Sequence, residues 1–83
     1  MYFVYILQSE KDGRFYIGFT DNIERRLKEH NEGKSSATKP FRPYELIFYE
    51  AFLSERDAKN REEYLKGGYG RRTIKKMLKN YLK

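Results

Sequence analysis

The segment from residue 16 to residue 30, YIGFTDNIERRLKEH, constrains the fold most strongly, because its side-chain pattern changes from the period of a strand to that of a helix. Tyr16 and Gly18 share one face of the predicted strand, and apolar residues occupy the other face. Spacings of three and four residues then place several side chains on one helical face. These are Ile23, Arg26, Leu27 and His30. The segment therefore predicts a strand, a polar turn and an amphipathic helix.

Two polar residues accompany the apolar face of this helix. Arg26 and His30 are expected on or beside the inward side, while neighbouring charges, Glu29 among them, are expected to point to water. A guanidinium or an imidazole near a core needs a partner or a chemical role. His30 is therefore either a hydrogen-bonded structural histidine or part of a site. We expect the space beside Tyr16 and above Gly18 to admit a phosphate.

The other hydrophobic segments complete a prediction of the α+β class. Residues 2–7 carry no charge and are apolar on both faces, which predicts a strand that is covered on both sides. Asp12-Gly13 marks the turn of a hairpin with the strand through Tyr16, and β-forming residues at 44–52 predict a third strand. We expect a small three-stranded, mixed or antiparallel sheet with three helices, in the order β-β-α-β-α-α, as one domain over residues 1–83.

Capping residues and glycines predict where the helices begin and end. Asp21 or Asn22 is expected to cap the first helix, which should end near Gly33. Ser54 is expected to cap the second helix. The third helix is predicted from residue 71 to residue 82, with an apolar stripe along one side. The stripe comprises Ile74, Met77, Leu78, Tyr81 and Leu82.

Composition excludes several classes of site. Because the chain has no cysteine and one histidine, it can form neither a disulfide nor a thiolate or multi-histidine zinc site. It also lacks the Walker and dinucleotide-binding fingerprints. No apolar run approaches the roughly 18 residues of a membrane span, and residues 1–7 are too short for the apolar region of a signal peptide. We therefore expect a cytoplasmic protein with no membrane partner.

Positive charge is unevenly distributed along the chain. The net charge is +6, and the chain from Lys66 onward has seven basic and no acidic residues. The segment from Lys34 to Pro43 has three basic residues and no acid. This pattern is typical either of a solvated basic surface or of a surface that binds nucleic acid. The predicted nucleic-acid contacts are Gly18, Lys34, Lys39, Arg42, Lys66, Arg71, Arg72 and Lys75.

An acidic residue interrupts the apolar stripe of the second helix. Ala58, Glu62 and Leu65 fall at i, i+4 and i+7, so Glu62 is expected to face inward. An inward carboxylate is unfavourable unless it meets a cation or a metal ion. Two interpretations stay open: a salt bridge to Arg26 or another base, and a metal ligand at the mouth of a cleft.

Taken in order, these residues resemble the motifs of the GIY-YIG nuclease family over nearly the whole chain. The first motif reads Val-Tyr-Ile at residues 4–6 in place of Gly-Ile-Tyr, and the second reads Tyr-Ile-Gly at residues 16–18. Arg26 follows Tyr16 by ten residues, His30 follows Arg26 by four, and Glu62 lies in the pattern A-x-x-x-E-x-x-L-K. The likeness is strongest to small, stand-alone bacterial members related to the nuclease domain of excision-repair endonucleases.

The resemblance implies a DNA endonuclease that uses water as the nucleophile and one Mg²⁺ or Mn²⁺ ion, with a role in DNA repair. Glu62 would hold the metal, and Tyr16 would take the proton of the attacking water. Tyr5 would assist or orient that water, and Arg26 would neutralise charge on the phosphate. His30 would hydrogen-bond a tyrosine or the phosphate. Branched or single-stranded DNA is an expected substrate, and RNA stays open.

Two other functions are compatible with the same sequence. One is a nucleic-acid-binding module with little or no cleavage activity. The other is an interaction domain whose basic helix binds an acidic partner. Metal-dependent nicking would distinguish the endonuclease from both of these alternatives. Nucleic-acid affinity at physiological salt would distinguish the binding module from the interaction domain. The oligomeric state does not follow from the sequence.

Overall fold

The computed structural model describes residues 1–82 and has the predicted order of elements. The strands are β1 (Tyr2–Ser9), β2 (Phe15–Thr20) and β3 (Tyr44–Phe52). The helices are α1 (Ile23–Asn31), α2 (Glu55–Lys66) and α3 (Gly70–Met77), with a short 3-10 turn at Lys39–Phe41 before β3. Each helix among these residues is too short or too polar to cross a lipid bilayer.

The three strands form one antiparallel sheet in the order β2-β1-β3. β1 occupies the centre because its charge-free sequence can be buried on both faces, as predicted. Its residues 4–7 are all buried. The register places Tyr5 opposite Gly18 on β2 and opposite Tyr49 on β3. Of the two sheet types that the sequence allowed, the fold is the antiparallel one.

Helices cover the two faces of the sheet. On one face, Val4 and Ile6 pack with Ala58 and Leu65 of α2 and with Ile74 of α3. On the other face, a second cluster brings α1 and the chain around β3 against β1. This second cluster consists of Tyr5, Leu7 and Tyr44, with Tyr16, Leu27, Phe41 and Leu46 packed against it. Tyr5 and Tyr16 belong to this second cluster and His30 packs against both, whereas Glu62 lies on α2.

Local hydrogen bonds set the helix ends largely as predicted. Asn22, rather than Asp21, caps α1: its side-chain oxygen accepts a hydrogen bond from the backbone N–H of Arg25 at 3.0 Å. Asp21 instead pairs with the Arg25 side chain at 2.9 Å. Gly33 follows α1 with a positive φ of 79°, which suits a glycine. Ser54 caps α2 and accepts from the backbone N–H of Asp57 at 3.3 Å.

The third helix differs from its prediction at both ends. It begins at Gly70, where a Cβ atom would overlap the carbonyl oxygen of Leu65, so only glycine allows α3 to start this close to α2. It ends at Met77 instead of Leu82, and the chain continues as turns. Leu78 and Leu82 still pack on the core from these turns. Tyr81 leaves the predicted stripe, is exposed, and donates to a carboxylate oxygen of Glu45 at 3.0 Å.

Candidate active site

Two tyrosines from the hairpin lie side by side on the α1 face of the sheet. The register puts Tyr5 opposite Gly18 and Tyr16 opposite Leu7, so the tyrosines are diagonal neighbours. Their ring centroids are 6.4 Å apart. The sequence allowed this approach without determining the register, and the antiparallel pairing now establishes it.

Gly18 makes room for the Tyr5 side chain rather than for a phosphate. A Cβ atom at this position would overlap the Tyr5 ring at its hydroxyl oxygen, and Gly18 is buried. The expectation of open space above Gly18 is therefore wrong, because the Tyr5 side chain fills that space. Glycine here lets the phenol lie across β2, and the buried position offers no floor on which a phosphate could rest.

The His30 side chain joins Tyr5 to the loop that follows α1. His30 is fully buried, and its Nε2 atom lies 3.0 Å from the Tyr5 hydroxyl. Its Nδ1 atom lies 2.7 Å from the Thr38 hydroxyl, which is buried as well. The Tyr16 ring packs edge-on against the imidazole, with centroids 4.9 Å apart. The sequence did not single out Thr38; its signal was limited to one small polar residue among several in the loop.

Hydrogen-bond geometry assigns the protons in this chain of groups. Burial, together with the positive charge of Arg26, lowers the pKa of His30 to about 4, so the imidazole is neutral at pH 7. The Thr38 hydroxyl also lies 3.4 Å from the carbonyl oxygen of Ser35, and this second acceptor favours the tautomer in which Thr38 accepts from Nδ1–H of His30. Nε2 of His30 then accepts the hydrogen bond from the Tyr5 hydroxyl. His30 is thus a hydrogen-bonded buried histidine that also orients a site tyrosine.

The pKa of Tyr5 reports which other charged groups are close. Burial is the main cause that raises this pKa to about 12, and Tyr16 and Glu62 raise it further, whereas Arg26 lowers it. Tyr5 therefore stays a protonated phenol at neutral pH. Arg26 and Glu62 are thus near enough to act electrostatically on Tyr5, while His30 and Tyr16 contact it directly. Arg26 and Glu29 of α1 line one groove with Glu55 at the start of α2 and with Phe19 and Thr20 of β2.

Arg26 is held by a residue that the sequence placed in solvent. Its Nη1 atom donates to Glu29 at 2.9 Å, and Glu29 is half-buried rather than fully solvated. This hydrogen bond is the main cause that holds the pKa of Glu29 below its usual value. The i, i+3 spacing on α1 was a signal for this pair. Glu29 leaves the other guanidinium nitrogens of Arg26 able to bind a further anion.

The Glu62 carboxylate pairs with Lys66, not with Arg26. Lys66 Nζ lies 2.9 Å from Glu62, one turn away on α2, and the Glu62 side chain is 21% exposed. Exposed i, i+4 pairs contribute only about 0.3–0.5 kcal/mol to stability. Glu62 is therefore not locked in a buried ion pair, and a metal ion could displace the ammonium group.

The described residues restrict the kind of metal site that is possible. Among residues 1–82, no group of three or more His, Asp or Glu side chains is placed to hold a metal ion. A single carboxylate such as Glu62 cannot supply the full coordination shell of a metal ion. It does fit Mg²⁺, which commonly keeps several waters and takes further oxygen ligands from a substrate phosphate.

A basic groove of about 720 Å³ lies beside Tyr16, between the hairpin turn and the start of α3. Lys66 and Arg71, two of the predicted nucleic-acid contacts, line it together with Arg14, which no sequence motif had singled out. Arg14 pairs with Asp12 at 2.8 Å and stacks over the Phe41 ring at 3.3 Å. Lys75 continues this basic surface in the neighbouring groove, which Arg71 also lines.

The remaining predicted contacts lie apart from this groove. Lys39 and Arg42 lie against Gly33, just beyond the end of α1, and Lys34 pairs with Glu32 at 3.3 Å. Arg72 lies on another side of α3, in a separate groove. The structure thus brings together part of the predicted basic surface and separates the rest.

Known proteins share both the sequence pattern and the fold. The UPF0213 protein YazA of Bacillus subtilis is 42% identical over 66 residues, which cover 78% of this chain and 66% of YazA. A UPF0213 protein of Clostridium perfringens is 42% identical over 67 residues, which cover 80% of this chain and 71% of that protein. This chain thus spans slightly less than two thirds of YazA.

A solved structure and a family model extend the comparison. The solution NMR structure of the UPF0213 protein BH0048 from Bacillus halodurans is 31% identical, with a TM-score of 0.57 over 93% of this chain and 85% of that one. The model of the GIY-YIG catalytic domain matches residues 1–77. The chain therefore belongs to the family of GIY-YIG catalytic domains, whose typical activity is that of a nuclease.

Proposed function

We propose that this protein is an endonuclease that hydrolyses phosphodiester bonds of DNA with the help of one divalent metal ion, Mg²⁺ or Mn²⁺. The observation that carries the proposal is geometric: Tyr16 adjoins Tyr5 and lines the same groove as Lys66, the ion-pair partner of Glu62. A role in DNA repair and a cytoplasmic location stay predictions from the sequence.

The two tyrosines would have different roles, because their surroundings differ. Tyr5 is 2% exposed and is hydrogen-bonded to His30, which suits a phenol that orients its neighbours. Tyr16 is only half-buried and lines the basic groove. Tyr16 would therefore contact the attacking water and, after releasing its own hydroxyl proton to solvent, take the proton of that water. Lys66 and Arg71 would hold the phosphate strand beside it.

Arg26 and Glu62 would act on the phosphate from the two helices. The Arg26 guanidinium, steadied by Glu29, would donate to phosphate oxygens through nitrogens that Glu29 does not use. Glu62 would hold the metal ion, which neutralises developing negative charge when it is bound. Lys66 would then move from Glu62 to the phosphate strand.

A nucleic-acid-binding module with little cleavage activity is the second candidate. The Lys66–Glu62 ion pair favours it, because Glu62 already has a cationic partner. The same basic groove would serve binding without chemistry. The two candidates differ in whether Glu62 exchanges its ammonium partner for a metal ion.

A panel of labelled nucleic acids tests the proposal. Duplex, single-stranded and branched DNA, and RNA, would be incubated with the protein in Mg²⁺, in Mn²⁺ and in EDTA. We expect Glu62→Ala and Tyr16→Phe to lose metal-dependent nicking and to keep salt-sensitive binding. Glu63→Ala, an exposed neighbour on α2, is the matched control and should nick normally.

Two results would decide against the proposal. If Glu62→Ala nicks DNA at the rate of the unmodified protein, Glu62 is not the metal ligand. If the unmodified protein binds these nucleic acids but cuts none of them with either metal, the binding-module function is the correct one.

A further inference from the structure

Helix α3 and the turn after it carry positive side chains without acidic partners. Among residues 1–82, no salt bridge involves Arg71, Arg72, Lys75, Lys76 or Lys79. Most cations of α1 and α2 are paired, as Arg25, Arg61 and Lys66 are. Unpaired like charges repel one another until an anion neutralises them, so this surface suits a polyanion.

These cations lie on two flanks of α3. Arg71 and Lys75 lie on the flank that faces the hairpin and Tyr16. Arg72 and Lys76 lie on the other flank, in a groove of about 360 Å³ between α2 and α3. We call this second groove the tyrosine groove; its lining residues are Tyr64, Tyr69, Arg72, Thr73, Lys76 and Met77.

The two tyrosines of the tyrosine groove are exposed yet held in place. Tyr69 is 68% exposed and Tyr64 is 49% exposed. The Tyr64 hydroxyl lies 3.1 Å from the Thr73 hydroxyl, and the Arg72 guanidinium lies 5.9 Å from the centre of the Tyr69 ring. No acidic residue is among the lining side chains. Two positioned aromatic rings beside two cations match the base and the phosphate of a nucleotide.

We infer that the tyrosine groove binds unpaired bases of a nucleic-acid strand by stacking, while the cations on both flanks of α3 neutralise its phosphates. The inference rests on the proposed function in one respect, namely that the polyanion is a nucleic acid. Every base has a flat aromatic face, so stacking on Tyr69 and Tyr64 needs no particular sequence. Bases inside a duplex are already stacked on each other, so the groove selects single strands or unpaired ends.

The test measures binding without cleavage. Fluorescence anisotropy in EDTA would follow a labelled single-stranded oligonucleotide and a strand of the same length in which abasic sites replace the bases. We expect Tyr69→Ala to weaken binding of the natural strand about tenfold and to leave the abasic strand unaffected, because stacking is lost and phosphate contacts remain. Tyr69→Phe, which keeps the ring, should bind as the unmodified protein does.

Two further variants separate stacking from charge and from general loss of a surface tyrosine. Tyr49→Ala is the matched control, because Tyr49 is 54% exposed and lies on β3, on the opposite face of the sheet from α2 and α3. It should leave both affinities unchanged. Arg72→Ala should weaken binding of both strands, since each strand carries the same phosphates. Circular dichroism would check that every variant is folded.

Three results would overturn the inference. The first is normal binding of the natural strand by Tyr69→Ala. The second is an equal loss for natural and abasic strands in that variant, and the third is polyglutamate binding as tight as that of the natural strand. This binding test does not depend on cleavage. A protein that shows the expected stacking but cuts nothing in the nicking experiment would refute only the proposed endonuclease activity. A protein that cuts DNA while Tyr69→Ala binds normally would refute the stacking groove alone.

Discussion

The Nδ1 atom of His30 lies 2.7 Å from the hydroxyl oxygen of Thr38, so the loop after α1 reaches the candidate active site. Both side chains are fully buried. Since a neutral imidazole carries a single N–H, the position of its proton decides whether Nε2 can accept from Tyr5. Thr38 therefore acts on the site through His30 and is a positioning residue.

Thr38→Val should disturb the His30 proton and reduce stability. The variant keeps the shape of the side chain but leaves the Nδ1–H of His30 buried without an acceptor, which lowers the free energy of unfolding by about 1–3 kcal/mol. Long-range ¹H–¹⁵N NMR of His30 would report the change of tautomer. Thr38→Ser should restore the tautomer, and unchanged His30 spectra in Thr38→Val would contradict the assignment.

Stability should fall as the pH falls from about 6.5 to about 4. The pKa of His30 is lowered to about 4 in the folded protein, chiefly by burial, from an ordinary value of 6.5. Between these values the unfolded chain binds more protons than the folded one, so acid favours unfolding, by up to about 3 kcal/mol in total. Above pH 6.5 this contribution is constant. Urea unfolding at several pH values would measure it.

His30→Gln serves as the control for that pH dependence. A glutamine does not titrate, so the fall in stability that His30 causes should be absent from this variant. Equal slopes of unfolding free energy against pH in both proteins would show that His30 is not the group responsible.

Gly18→Ala should destabilise the protein by about 1–3 kcal/mol. A Cβ atom at this position overlaps the Tyr5 phenol, so the ring or β2 has to move. The displacement should also reduce nicking, because Tyr5 adjoins Tyr16. Gly68→Ala is the matched control, since nothing lies within 4 Å of a Cβ there. Thermal unfolding would compare the two variants. Equal melting temperatures would contradict the claim that a Cβ atom at residue 18 overlaps Tyr5.

Lys66→Met should lower the Mg²⁺ concentration needed for half-maximal nicking, measured with DNA at saturating concentration because Lys66 is also a proposed phosphate contact. The ammonium group competes with a metal ion for Glu62, and its removal leaves the carboxylate unpaired. Stability should change by only about 0.3–0.5 kcal/mol, as for other i, i+4 pairs. Lys59→Met removes a similar ion pair, with Glu55, and should leave the metal requirement as it was. A metal requirement that is unchanged or higher in Lys66→Met would argue against Glu62 as the ligand.

The sequence by itself determined the order of elements and the positions from which the site is built. Strand and helix periods, a cap at Asp21 or Asn22, the cap at Ser54, and the glycine after α1 act over a few residues, so they can be read along the chain. Helical phase placed Arg26, His30 and Glu62 on inward faces. The resemblance to a family then assigned each of them to one of its motifs. Their roles in catalysis stay predictions.

Only the tertiary structure decided how distant side chains meet. It filled the space above Gly18 with Tyr5, brought Thr38 to His30, paired Glu62 with Lys66 and ended α3 at Met77. The first two contacts join residues that are 13 and 8 positions apart and depend on strand register and on the path of a loop. Sequence periodicity does not predict strand register or the path of a loop, because both are set when the helices and loops pack on the two faces of the sheet.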